Sequence, residues 1–299
     1  MPPERRRRIL RIFGIFVVVL LVLLIGLPFV LGFLTTWSIT HLPCGGGSIP
    51  KAAGMTDYEA ISFYSPSLNE QVSGYFVHGT NGVTIILPPT LNSGAGYWRE
   101  DYVVLNRFGY NLLNYESRSC VGKTNTLGYL EVDQVADALN YLATRPDVDM
   151  TRVGIHGFSA AGATSIMAAA RYVHLKAAVA MGGYHDFGAT LDAEAQGSWY
   201  GPLYAAGARA GYRLATGLDM EVLSPVSVID QISPRRVLLI YGTREPSLAG
   251  AYLQQKAAGS NAELWVVEGA GHGSYWDMGP EAFAQHIIPF LDDVFGIER

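Results

Sequence analysis

Three residues in this chain have the type and setting to break an acyl bond. Ser159 stands in Gly157-Phe158-Ser159-Ala160-Ala161-Gly162. Before it, Val153 to His156 reads as the end of a buried strand; after it, the Ala-rich run Ala160 to Ala170 reads as a helix. A serine at such a turn holds its hydroxyl clear of the sheet, and small residues on either side let strand and helix approach closely. Two places after the serine stands Ala161 instead of Gly, one extra methyl, and Gly162 follows at once. The helix start puts the Ala160 N–H beside Ser159, where a developing oxyanion needs a donor. A serine nucleophile also needs a base, and the base needs an acid to orient it. The apolar strand Val237 to Tyr241 runs into Gly242-Thr243-Arg244-Glu245-Pro246, and Leu264 to Val267 runs into Glu268-Gly269-Ala270-Gly271-His272-Gly273. Glu245 and His272 thus stand just past strand ends, on the sheet edge that carries Ser159 and where open α/β sheets place their sites.

The other titratable residues fit less well. His156 precedes the turn and belongs inside the strand. His174 and His286 fall in helical sequence. His185 follows a strand, but Asp186 beside it suggests a turn, and His41 and His78 come before the core. Asp277 is a rival acid by its nearness to His272, whereas Asp219 and Asp230 lie in an inserted segment.

Strands are expected at Tyr58–Tyr64 and Val72–His78 from their alternation, and at Val83–Leu87, Tyr110–Tyr115, Val153–His156, Ala177–Met181, Val237–Tyr241 and Glu263–Val267 from short apolar runs. Helices are expected near Trp98–Phe108, Leu130–Thr144, Ala160–Ala170, Ala249–Ala258 and Ala282–Val294. Strands alternating with helices predict an α/β fold, a mostly parallel sheet with helices on both faces, made mixed by the hairpin-like early strands. Residues 187–234 are the longest interval without a strand. They read as a lid inserted over the carboxyl edge of the sheet, with Trp199, Tyr200, Tyr204 and Tyr212 among small residues.

The N-terminus carries a separate signal. Arg5 to Arg8 and Arg11 precede Ile12 to Leu34, 23 residues without a charge. That is enough to cross a hydrocarbon core of about 30 Å. Its length, and the lack of a small-x-small site near Leu34-Thr35-Thr36-Trp37, favour a retained anchor over a cleaved signal peptide. The arginines should stay in the cytoplasm, with Trp37 in the outer interface and the catalytic domain outside. The expected organisation is a basic tail (1–11), a transmembrane helix (12–34), a linker (35–54) centred on Gly45-Gly46-Gly47-Ser48, and a catalytic domain (55–299). Cys44 lies in the linker and Cys120 in a later loop; two free thiols and a disulfide both remain open.

Charged residues are only 16% and apolar residues 49% of the 299, enough for a large core. Beyond residue 11 the chain holds 16 Lys and Arg against 25 Asp and Glu, an acidic balance that argues against a nucleic-acid partner. The two cysteines form no Cys-x-x-Cys pair, and no His-rich cluster accompanies them, so no metal site is expected.

With these pieces in place the chain resembles the α/β-hydrolase superfamily over roughly Tyr58 to Phe295. It is most similar to the serine esterases and peptidases of the prolyl-oligopeptidase and dienelactone-hydrolase branch. Phe108-Gly109-Tyr110-Asn111-Leu112-Leu113, Tyr115-Glu116-Ser117-Arg118-Ser119, Gly128-Tyr129-Leu130-Glu131-Val132-Asp133 and Gly269-Ala270-Gly271-His272 carry the likeness beyond the serine turn. In that superfamily the order is serine, acid, histidine. The resemblance implies a Ser159, Glu245, His272 triad and an acyl-enzyme on Ser159, with no metal or organic cofactor. Two departures stand out. The family often has His-Gly after the third strand, where a loop N–H binds the oxyanion. Here Pro88-Pro89-Thr90 leaves the donor to Thr90 or Leu91, with Thr90 and Ala160 the expected pair. Glu245 also replaces the commoner Asp. The expected activity is hydrolysis of a carboxylic ester, with short peptides as the alternative substrate and an inactive hydrolase-fold binding protein as the alternative class.

Overall fold

The computed structural model describes residues Pro3–Arg299, which form two compact units. One consists of the chain through Thr40 together with Gly188–Met220; the other of His41–Phe187 and Glu221–Arg299.

The larger unit is built on an eight-stranded sheet of order β1-β2-β4-β3-β5-β6-β7-β8. Strands β1 (Tyr58–Ser65) and β2 (Glu70–Val77) pair antiparallel, and β2 pairs antiparallel with β4 (Asn111–Tyr115). From β4 onward every pairing is parallel, through β3 (Thr84–Leu87), β5 (Val153–Phe158), β6 (Leu175–Met181), β7 (Arg236–Gly242) and β8 (Ala262–Val267). The sequence explains the change. Phe63 and Val72 are buried while Tyr64 and Gln71 face out, so the hairpin alternates. The residues of β3 and β4 are buried throughout, as parallel strands covered on both faces must be. Helices α3 (Glu131–Ala143), α4 (Ala160–Arg171) and α7 (Leu248–Ala258) cover one face. Helices α2 (Glu100–Arg107) and α8 (Pro280–Phe295) cover the other. This is the expected mixed α/β architecture, with each predicted strand and helix present and its bounds within a few residues.

Residues 41–54 depart from the linker reading. They are stapled to the loop before α2. Cys44 is disulfide-bonded to Cys120. Gly45 N–H donates to Asn92 O at 2.6 Å, Ser48 N–H to Gly96 O at 2.9 Å, and Trp98 Nε1 to Ser48 O at 2.9 Å. The glycines serve close approach here, not flexibility: a Cβ on Gly47 would stand 1.8 Å from Ala95 O, and one on Gly96 1.9 Å from Ser48 O.

The smaller unit holds helix α1 (Pro3–Thr40), which contains the apolar run 12–34 and continues six residues into the expected linker. It also holds α5 (Phe187–Ala195), apart from its first residue, and α6 (Gly201–Thr216). The interval 187–234 is therefore divided, because residues 221–234 belong to the larger unit. Helix α6 packs along the C-terminal half of α1 through glycines on both helices.

Candidate active site

Ser159 sits between β5 and α4 with φ 58° and ψ −126°. A non-glycine residue there stores about 1–3 kcal/mol of backbone strain. Its N–H donates to Met181 O at 2.8 Å, and its carbonyl accepts the N–H groups of Gly162 and Ala163, so both sides of the turn are held. Gly157 is required by sterics, because a Cβ there would lie 2.2 Å from Ala161 O.

Four neighbouring parallel strands deliver the other groups at their carboxyl ends. Ser159 follows β5, Gly182 follows β6, Glu245 stands three residues past β7, and His272 five past β8. His272 Nε2 lies 3.0 Å from Ser159 Oγ, and His272 Nδ1 lies 2.6 Å from Glu245 Oε1. The imidazole is half exposed, whereas the Glu245 side chain is fully buried. Its second oxygen, Oε2, accepts the Tyr275 hydroxyl and, at 3.3 Å, the Gly242 N–H. The Tyr275 hydroxyl in turn accepts the Gly242 N–H at 3.2 Å. Burial and the bond to Glu245 push the Tyr275 phenol well above its ordinary range, so it stays a donor. The whole carboxylate is thus committed, one oxygen to the histidine and one to buried donors.

Two more residues shape the site. The ring of Phe158 stacks on the His272 imidazole, centroids 4.8 Å apart and planes 27° off parallel. Gly182, at φ +61°, leaves room for the pair: a Cβ there would stand 3.1 Å from Glu245 Oε1 and 3.2 Å from His272 Nδ1. The Phe158 ring also carries the Arg99 guanidinium, 4.8 Å from its centroid. Arg99 is bonded to Asp101, which also bonds His156 Nε2, and all three are buried. The charges of Arg99 and His156 outweigh burial and hold the Asp101 carboxyl well below the ordinary aspartate range.

The oxyanion candidates are placed less directly. Ala160 is the first residue of α4, whose leading N–H groups have no intrahelical acceptor. Thr90 lies in the loop after β3, where its carbonyl accepts the Ser93 N–H at 2.8 Å. The next residue, Leu91, has φ 34°. This loop is the one stapled to residues 43–48.

The rival residues lie elsewhere. His156 is fully buried in β5, as expected. His174 is exposed in the turn past α4, not within a helix, and His286 stacks on Trp265. His185 packs against Gly250, and burial lowers its pKa. Asp277 is exposed, and Asp219 pairs with Arg213 at 2.8 Å. Tyr275 and Gly182 were not singled out from sequence. The signals were there: a tyrosine three residues past the histidine, and a Gly-Gly pair directly after an apolar strand.

The fold and this constellation define a serine hydrolase of the α/β-hydrolase class. The sequence profile of the prolyl oligopeptidase family matches residues 122–298, and the chain belongs to that family. No curated protein matches the chain by sequence. Among solved structures it is similar to an esterase of Pyrococcus furiosus at 22% identity and TM-score 0.62, over 85% of this chain and 96% of that one. It is similar to the α/β hydrolase GrgF of Penicillium sp. sh18 at 14% identity and TM-score 0.64, over 81% and 100%. It is also similar to an acylaminoacyl peptidase of Pyrococcus horikoshii at 14% identity and TM-score 0.58, over 81% of this chain but 42% of that one. At these identities the likeness is one of fold.

Proposed function

We propose that the chain is a membrane-anchored serine hydrolase that cleaves a carboxylic ester through an acyl-enzyme on Ser159. The observation that carries the reading is the continuous path from Ser159 Oγ to His272 Nε2 at 3.0 Å and from His272 Nδ1 to Glu245 Oε1 at 2.6 Å. Ser159 attacks the acyl carbonyl while His272 takes its proton. Glu245 holds the imidazole tautomer and stabilises the imidazolium. The Ala160 and Thr90 N–H groups bind the oxyanion. His272 then protonates the leaving alcohol, and with its base form restored it activates the water that frees Ser159.

Ester is preferred to peptide on one ground. The esterase neighbour is matched over 96% of its length, whereas the peptidase neighbour carries more than half a chain outside the match. Membership of a family named for a peptidase favours short peptides as the second reading. Anchoring rests on α1, whose length and mean hydropathy of 3.1 suffice to cross a membrane and whose apolar window is 0% buried. Arginines before the span, and a disulfide after it, agree with a cytoplasmic N-terminus and an outer catalytic domain.

The test is labelling of the full chain with a fluorophosphonate, followed by mapping of the modified residue. Modification of Ser159 that is lost in His272→Ala supports the triad. A folded protein that leaves Ser159 unmodified overturns it. Turnover of short p-nitrophenyl esters against peptide p-nitroanilides then separates the two substrates.

A further inference from the structure

Helix α1 is bare over its first part and covered over its last. The large apolar side chains from Ile9 to Ile25 are exposed, apart from a half-buried Val17. Burial then appears at Gly32, Thr36 and Thr40. The covering element is α6. The Gly207 backbone meets Phe29, where a Cβ would lie 1.9 Å from Phe29 O, and Gly211 meets Phe33, where one would lie 2.5 Å from Phe33 O. From the other side, a Cβ on Gly32 would stand 2.0 Å from Tyr204 O. Small residues at four-residue spacing let two helix backbones touch in this way. Both contacts step forward by four, so the two helices run in the same direction.

That direction has a consequence for depth. A hydrocarbon core of about 30 Å takes about 20 residues of helix. Counted from Ile12, the first residue past Arg11, it ends near Leu31, at the crossing with α6. Trp199 and Tyr200 come eight and seven residues before Gly207, so they lie about 10 Å further back along α1, inside the outer boundary. Both side chains are exposed, Trp199 at 68% and Tyr200 at 46%, and they pack edge to face at 5.7 Å. The backbone around them is suited to a place with little water. The N–H groups of Gln196, Gly197, Ser198, Gly201, Leu203 and Tyr204 are bonded within the segment. The nearest charges lie toward the crossing. Arg209 grips Asp192 through two bonds of 2.8 and 2.9 Å, level with the crossing, and Glu194 lies two residues from Asp192.

We infer that the tip between α5 and α6, centred on Trp199 and Tyr200, is a second membrane contact, inserted into the outer leaflet beside α1. The partner is the lipid bilayer itself, and the contact is continuous with the bare apolar surface of the anchor helix. Tryptophan and tyrosine suit that depth because a ring can lie in the acyl boundary while its polar atom reaches the headgroups. The inference rests on the reading of α1 as an anchor.

The test places a nitroxide on the full chain in nanodiscs of phosphatidylcholine and phosphatidylglycerol. Cys44 and Cys120 are joined, so without reductant an introduced cysteine is the thiol that reacts. Labels go on Trp199→Cys, Tyr200→Cys, Val18→Cys within α1 and Tyr252→Cys on the exposed face of α7. Accessibility to oxygen is then compared with accessibility to a water-soluble nickel chelate. The expected result is a ratio at 199 and 200 several-fold above that at 252 and approaching that at 18. A ratio at 199 and 200 equal to that at 252, with 18 still in lipid, overturns the inference and leaves the anchor standing. An aqueous value at 18 overturns both. A second readout uses no label: brominated lipids should quench the wild-type chain more than Trp199→Phe, and equal quenching counts against insertion.

Discussion

Replacing Tyr275 with Phe removes one oxygen from the site and keeps the ring that packs there. The lost hydroxyl is the main donor to Glu245 Oε2, whose other partner is the Gly242 N–H at 3.3 Å. No solvent can take its place, because Tyr275 and the Glu245 side chain are both fully buried. A hydrogen bond to a charged group contributes about 1.5–3 kcal/mol, and unfolding free energy should fall by that much. Activity should fall for a different reason. Held mainly through Oε1, the carboxylate can pivot about its 2.6 Å contact with His272 Nδ1. A misplacement of about 1 Å can cost about 100-fold, so kcat/KM should drop by roughly 10- to 100-fold. The pH profile supplies an independent sign. In the wild type, Tyr275 should add no alkaline limb, because burial and its bond to Glu245 keep the phenol protonated. The assay is p-nitrophenyl ester turnover by the full chain in detergent from pH 5 to 10, beside a denaturant melt. A variant that melts earlier, yet keeps kcat/KM within two-fold, would refute the reasoning and reduce Tyr275 to packing.

Gly182→Ala should abolish most activity and cost about 1–2 kcal/mol, because its Cβ enters the Glu245 to His272 contact at an unfavourable φ of +61°; near wild-type turnover would count against that crowding. Asp101 should make the fold acid-sensitive. Its depressed carboxyl lends stability that is full above its ordinary value of about 3.9 and is lost as pH falls through the lower folded value. Stability measured against pH should therefore fall less steeply below about pH 4 in Asp101→Asn than in the wild type. Reduction of the Cys44 to Cys120 disulfide should lower stability by about 2–5 kcal/mol, and a melt unchanged by reductant would contradict this.

Most of the sheet was legible because its strands are short apolar runs, and parallel strands covered on both faces have little choice of composition. Ser159, Glu245 and His272 could be read for the same reason, since each follows such a run on one edge. Three features were hidden, each by a different cause. The hold of Tyr275 on Glu245 joins residues 30 apart through a carboxylate whose orientation no local pattern specifies. Of the buried Arg99, Asp101 and His156 cluster only the strand histidine could be read, because pairing of charges across a core leaves no periodic trace. The pairing of α6 with α1 joins segments about 175 residues apart in the chain, and its one local trace is that Gly207 and Gly211 repeat at the spacing that close helix packing uses.

The glycine seam between residues 43–48 and 92–98 bears on how the enzyme can be shortened. A boundary chosen by composition would fall at Met55 and discard everything before it as leash. That cut would leave Cys120 as an unpaired thiol and strip Asn92 O, Gly96 O and the Trp98 indole of their partners. The loop so unbraced is the one that carries Thr90. Such a fragment could fold and still work poorly, and its weakness would be blamed on the missing helix α1. A shortened form intended to report on catalysis should keep residues 41–54.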